Sequence, residues 1–232
     1  ILGFFVVTMC VGAVIFWKSR CISWEGTVIL QEDKKEPVKD TSIVYISNCF
    51  VGSDMTAHAF DSLVEKVNEK KPDVILFGGN LFGRHTNEVT IDKTLASIKK
   101  MKAALGIYMV EGSADSALVE EKKEKISGAG VHLLLDESAV LHNGLQLVGC
   151  RADGKTKKPM SYILSLINKE KPSIVLAGET MEEKLKEEKK ISLVLYPKKI
   201  TDTGNGGTSG VNQMFPRNVL ASAKINFMQI KK

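Results

Sequence analysis

Four apolar runs in this 232-residue chain end on small or polar residues whose types bear on chemistry. "TSIVYIS" runs into Asn48, Cys49 and Phe50, and "PDVILFG" into Gly79 and Asn80. "LGIYMVE" runs into Gly112, Ser113, Ala114 and Asp115, and "PSIVLA" into Gly178 and Glu179. In α/β proteins ligands and reacting groups collect at the carboxyl ends of strands, where acidic side chains and histidines can hold a metal ion that activates water. Here the slots hold two amides, a thiol, a phenyl ring, a hydroxyl, one aspartate and one glutamate. Amide oxygens are ligands for hard cations, but Asn48 and Asn80 bring no negative charge to balance one.

Other chemistries have weaker support. Ser113 lies on a small-residue turn, yet no Gly-x-Ser-x-Gly frame surrounds it and no histidine is placed to activate it. Cys49 and Cys150 both fall at strand ends and are expected to face one cleft; two ordinary buried thiols are the favoured reading. His58, His85, His132 and His142 share no metal-ligand spacing, and the four cysteines, with Cys10 and Cys21, form no C-x-x-C pair. "TGNGGTSG" at Thr203 to Gly210 lacks the Lys-Ser/Thr ending of a phosphate loop and reads as a turn. No catalytic residue and no metal ligand is assigned from these patterns.

The elements that must position these residues follow from periodicity. Strands are expected at "TSIVYIS", "PDVILFGG", "LGIYMVEG", "PSIVLAG", "ISLVLYP" and "SAKINFMQI". Helices are expected from Thr56 to Lys70, where Ala59, Phe60, Leu63, Val64 and Val67 mark one face, and from Thr90 to Met101, Ser116 to Ser127, Pro159 to Lys169 and Thr180 to Glu188. "GAGVHLLL" leads into a hairpin of "SAVLH" and "LQLVGC" turning at Asn143-Gly144. Strand-helix alternation followed by a hairpin implies layered α/β packing with a mixed sheet.

This order of strands and turns resembles the calcineurin-like metallophosphoesterases, in particular their membrane-anchored bacterial branch, from about Ser42 to Ile230. "KPDVILFGGNLFGR" is similar to the family's "KPDLIL-x-GDL-x-x-R" segment, and "ALGIYMVEGSAD" to its "PLGVY-x-V-x-GNHD" segment; "GVHLLLDESAVLHNGLQLVGCRADG" is similar to its hairpin region. The resemblance implies an α/β four-layer αββα sandwich with mixed sheets, and a family chemistry of two divalent metal ions. It also implies which positions would have held them: Asn48 and Phe50 for Asp-x-His, Asn80 for the aspartate of Gly-Asp, Ser113 and Ala114 for Asn-His, and Gly178 or Glu179 for a lone histidine. Asp115 is the family residue that survives, and the closing Gly-His-x-His is absent after "LVL". The expectation is a member without its metal ligands, a pseudoenzyme that binds or scaffolds and uses no cofactor. The alternative is a residual phosphoesterase with a rearranged single-metal site at Asn48, Asn80, Asp115 and Glu179.

Residues 1–17, "ILGFFVVTMCVGAVIFW", carry no charge and stop at Lys18 and Arg20. A run of this length sits at the lower edge of what spans a bilayer, and Trp17 and Trp24 suit a membrane-water boundary. The expected organisation is a transmembrane helical anchor at 1–17, a juxtamembrane connector at 18–41 and the metallophosphoesterase-like domain at 42–232. Single-pass insertion in the cell membrane is expected, with the domain outside the cytoplasm by family resemblance although Lys18 and Arg20 argue the other way. Without those two bases, 30 basic residues face 27 acidic ones. That balance is too mild to imply nucleic acid, so the expected partners are the membrane and a protein or small molecule of unknown identity.

Overall fold

A computed structural model describes residues 21–29, 41–152, 157–179, 191–197, 212–214 and 222–230; for 21–29, 212–214 and 222–230 it describes the strand backbones alone. The order is β1 (Cys21–Ile29), β2 (Thr41–Ser47), α1 (Ala57–Glu69), β3 (Val74–Gly78), α2 (Glu88–Ile98), β4 (Ile107–Val110), α3 (Ser116–Ser127) and β5 (Val131–Leu133). Then come β6 (Ser138–Val140), β7 (Gln146–Cys150), α4 (Met160–Ser165), β8 (Ser173–Ala177), β9 (Leu193–Tyr196), β10 (Asn212–Met214) and β11 (Ser222–Ile230).

Two sheets form. The first runs β1-β11-β2-β3-β4-β5 and the second β10-β9-β8-β7-β6. In the first only the β1/β11 pair is antiparallel; in the second β7, β8 and β9 are parallel and both edge strands run against them. Alternation along each strand sends side chains to opposite faces. On β2, Val44 and Ile46 meet Phe60, Leu63 and Ile91 of the helices, while Ile43 and Tyr45 meet Leu147, Ile174 and Leu193 of the second sheet. Val148, Val175 and Val194 turn the other way, onto Ile163 and Ile167. Three apolar layers therefore separate helices, sheet, sheet and helix, a mixed α/β sandwich of the expected kind.

Local chemistry fixes the helix starts. The Thr56 hydroxyl accepts the Ala59 amide at 3.1 Å and the Asn87 side chain accepts the Thr90 amide at 2.9 Å, each satisfying a donor that the first turn leaves free. α4 ends earlier than its periodicity suggests. The buried Gln146 side chain of β7 donates to the Leu166 carbonyl at 2.7 Å and accepts the Asn168 amide at 2.9 Å, drawing the chain off the helix path.

One expectation needs correction: Cys21–Ile29, placed in the connector, is a nine-residue strand paired with β11. Asn212–Met214 adds an edge strand that the sequence did not mark. The expected helix at Thr180 to Glu188, the stretch from Thr203 to Gly210 and the apolar segment 1–17 lie outside the described residues. Among the described residues no helix is long and apolar enough to cross a membrane.

Candidate functional site

Parallel register brings the carboxyl ends of β2, β3 and β4 to one edge, since Ile46 pairs with Phe77 and Gly78 with Val110. The turns there need unusual backbone: Asn48, Phe50 and Asn80 have φ of 56°, 47° and 54°, a left-handed region that Asn tolerates far better than an aromatic residue. Backbone bonds stitch the tips together, Asn48 N–H to the Gly79 carbonyl at 3.1 Å and Phe50 N–H to the Asn80 carbonyl at 2.9 Å.

The side chain of Asn80 ties three strand ends at once. Its Oδ1 accepts the Ala114 amide at 2.9 Å, and its Nδ2 donates to Asn48 Oδ1 at 2.8 Å; both asparagines are buried. The Ala114 bond fixes which end of the amide is oxygen, so it is the NH₂ group that faces Asn48. Gly112 makes room for this side chain, because a Cβ there would lie 2.3 Å from Asn80 Oδ1.

Asp115 stands at the N-terminus of α3 but does not cap it. Its Oδ2 accepts the Leu81 amide at 2.7 Å and the Phe82 amide at 3.3 Å, and its Oδ1 accepts the Gly112 amide at 2.7 Å. Burial pushes the Asp115 carboxyl up to about 6, with the amides of Gly112, Phe82 and Leu81 pulling the other way. The group thus fastens the β3 and β4 turns to each other.

The second sheet joins at the same edge. A Cβ on Gly178 would lie 1.8 Å from the Glu111 carbonyl oxygen and 2.9 Å from the Ala152 nitrogen, so position 178 admits no side chain and, of the two positions considered for the lone histidine, only Glu179 has room for one. Glu179 is half-exposed and accepts from Lys157 Nζ at 2.7 Å. A buried ion pair missed at the level of sequence locks the two sheets: Arg151 Nε and Nη2 donate to Glu111 Oε1 and Oε2 at 2.7 and 3.1 Å, and Nη2 reaches Glu120 on α3 at 2.8 Å. Burial pushes the Glu111 carboxyl up while Arg151 draws it back down. Buried Asp136 completes the junction by accepting the Arg151 and Lys158 amides at 2.9 and 2.7 Å.

Asn48, Asn80, Ala114 and Asp115 are therefore brought together, with Ser113 exposed beside them, while Gly178 packs against Glu111 and Ala152. Phe50 is half-buried at the end of β2. Cys49 and Cys150 are both buried, but they do not share a cleft: Cys49 packs with the β2 and α1 layer and Cys150 with the α4 layer. Burial, with Asp136 nearby, raises the Cys150 thiol to about 11, which makes it a poor nucleophile.

These donors do not fit the two divalent ions that the resemblance implies. Asn80 directs hydrogens where a ligand would direct a lone pair, Asp115 spends both oxygens on backbone amides, and Glu179 is paired with a lysine. Among the described residues no group of three or more His, Cys, Asp or Glu side chains is arranged to hold a metal ion.

No family model matches the chain. Two curated relatives do, both described as uncharacterized metallophosphoesterases of Helicobacter pylori, from strains 26695 and J99. They are 25% identical over 189 residues and 24% identical over 188, in each case across 78% of this chain and 48% of the relative. The chain is metallophosphoesterase-like. This metallophosphoesterase-like chain spans about half the length of the curated relatives it matches. Among solved structures, TT1561 of Thermus thermophilus is matched over 60% of this chain and 67% of its own, at 18% identity and a TM-score of 0.45.

Proposed function

We propose that this metallophosphoesterase-like chain does not hydrolyse phosphate esters and acts instead by binding or scaffolding at a membrane, through its strand-tip cluster or a helix face. The observation that carries this reading is the Asn80 amide, whose NH₂ occupies the side where an aspartate would offer a charged oxygen. A two-metal centre needs anionic donors to hold cations and a bridging hydroxide, and two neutral amides already bonded to each other supply neither. The uncharged segment 1–17 is the basis for the anchor, with one pass through the cell membrane and the domain outside the cytoplasm. The partner is a protein or small molecule and not nucleic acid, given the mild charge balance.

The test is metal content and turnover of the purified chain after incubation with manganese, iron or zinc. The expected result is less than one bound ion per chain, and no metal-dependent hydrolysis of p-nitrophenyl phosphate or its diester above a no-protein control. Two tightly bound equivalents, or turnover abolished both by chelator and by Asn80→Ala, would overturn the reading. The anchor is tested separately: the protein should resist carbonate extraction from membranes, and release would remove it.

A further inference from the structure

The pairing of β1 says which end of the sandwich meets a membrane. β1 runs antiparallel to β11 with Cys21 opposite Ile230, and β11 runs parallel to β2 with Gln229 opposite Ser47. Cys21 is thus level with Asn48, at the same edge as the tips of β3 and β4, and two strands away from β2. At the spacing of neighbouring strands that is roughly 10 Å. Only Lys18, Ser19 and Arg20 separate Trp17 from Cys21, and four steps of extended chain reach at most about 14 Å.

We infer that the strand-tip edge faces the bilayer, and that its outward residues meet phosphate-bearing lipid head groups. The inference rests on the reading of 1–17 as an anchor. The tether can carry the tip of β2 no farther than about 25 Å, and that of β3 no farther than about 30 Å, from the end of the apolar segment. The opposite edge, where α1 and α2 end and β3 and β4 begin, lies farther out by the length of a strand, about 17–20 Å. What the near edge exposes suits a phosphate layer: Arg84 and His85 in the loop after β3, Ser113 after β4 and Lys157 after β7 are all exposed. A cationic side chain and a hydroxyl both donate to phosphate oxygens. Exposed Asp54 and half-exposed Glu179, which pairs with Lys157 at 2.7 Å, balance Arg84 and Lys157 in charge, so the contact rests on hydrogen-bond donors rather than on net charge.

The test uses the full chain in vesicles of phosphatidylcholine and phosphatidylglycerol with a trace of rhodamine-labelled lipid. Cys10 and Cys21 are changed to serine, while Cys49 and Cys150 are buried and escape labelling. A donor dye is placed at the near edge through Ser113→Cys, with Arg84→Cys as a second near-edge probe should the first perturb its turn. The far-edge probe is Lys102→Cys, an exposed residue in the loop before β4. In vesicles recovered by flotation, energy transfer to the labelled lipid should be several-fold stronger from either near-edge dye than from residue 102. A benzophenone at the near-edge positions should capture phospholipid. Flotation with equal or reversed transfer would overturn the orientation alone. Failure to float would overturn the anchor and the orientation together, and near-edge transfer without lipid capture would overturn the head-group contact.

Discussion

Asn80 donates its side-chain amide to Asn48 Oδ1 across 2.8 Å, so that the tips of β2 and β3 are joined by a neutral hydrogen bond where two carboxylates would repel. Replacing both residues should reveal how much that neutrality matters. In Asn48→Asp/Asn80→Asp two carboxylates meet at hydrogen-bond range without a donor, and the double variant should lose roughly 2–4 kcal/mol of stability at neutral pH, since a buried unsatisfied polar group costs ~1–3 kcal/mol and charge adds to it. Urea unfolding measures this. Adding Phe50→His should restore no hydrolysis, because Ala114 and Gly178 still offer no ligand; turnover in the triple variant would show that the tips alone suffice.

Asp115 makes stability depend on pH in a definite direction. Its folded carboxyl is raised to about 6 by burial, above the ordinary value near 4 of an unfolded aspartate. The native state then takes up the proton first, so this group's contribution is fully present below about pH 4 and is lost as pH rises through 6. The stability difference between wild type and Asp115→Asn should therefore grow on acidification from pH 7 to 4, by up to about 3 kcal/mol at 1.36 kcal/mol per pKa unit. A difference that shrinks would show that the three backbone amides outweigh burial.

Arg151 should divide its two acidic partners sharply. Glu111 is fully buried, whereas Glu120 is 47% exposed. Arg151→Met strands the Glu111 charge and should cost about 3–5 kcal/mol, the range for breaking a buried pair. Glu120→Gln should cost less than about 1 kcal/mol, as exposed pairs do. Thermal melts of both variants check the ordering, and equal losses would mean that Glu120 carries as much as Glu111.

Gly178→Ala places a methyl group 1.8 Å from a carbonyl oxygen held in the opposing sheet. The backbone must move, so the loss should exceed about 3 kcal/mol, beyond what overpacking in a core usually costs. Gly130→Ala is the control: it has open space around its Cβ but a φ of +89°, and about 1 kcal/mol of strain is expected. Denaturant midpoints of the two should differ clearly.

Much of this architecture was legible where local pattern and tertiary environment agree. "SAKINFMQI" alternates as a strand and forms β11 from Ser222 to Ile230, and the Asn143-Gly144 turn joins β6 to β7 as its chemistry suggested. β1 escaped notice because Glu25 and Gly26 interrupt its apolar character and its partner lies far along the chain. The strand-tip asparagines could be picked out by position, but no spacing rule discloses that Asn80 bonds Ala114 with one end of its amide and Asn48 with the other. Glu111 and Arg151 look like ordinary charges until the fold places residues 40 apart in sequence side by side.

The β1/β11 pair also sets a clock on synthesis. Ile29 and Ser222 are partners, with about 190 residues between them. At ~5–20 residues per second of chain growth, β1 leaves the ribosome on the order of ten seconds or more before its neighbour exists. Throughout that interval its backbone donors and acceptors lack the strand that will satisfy them. The first sheet is therefore completed only once Ser222–Ile230 has been made, and a chain cut just before Ser222 would expose the edges of both β1 and β2.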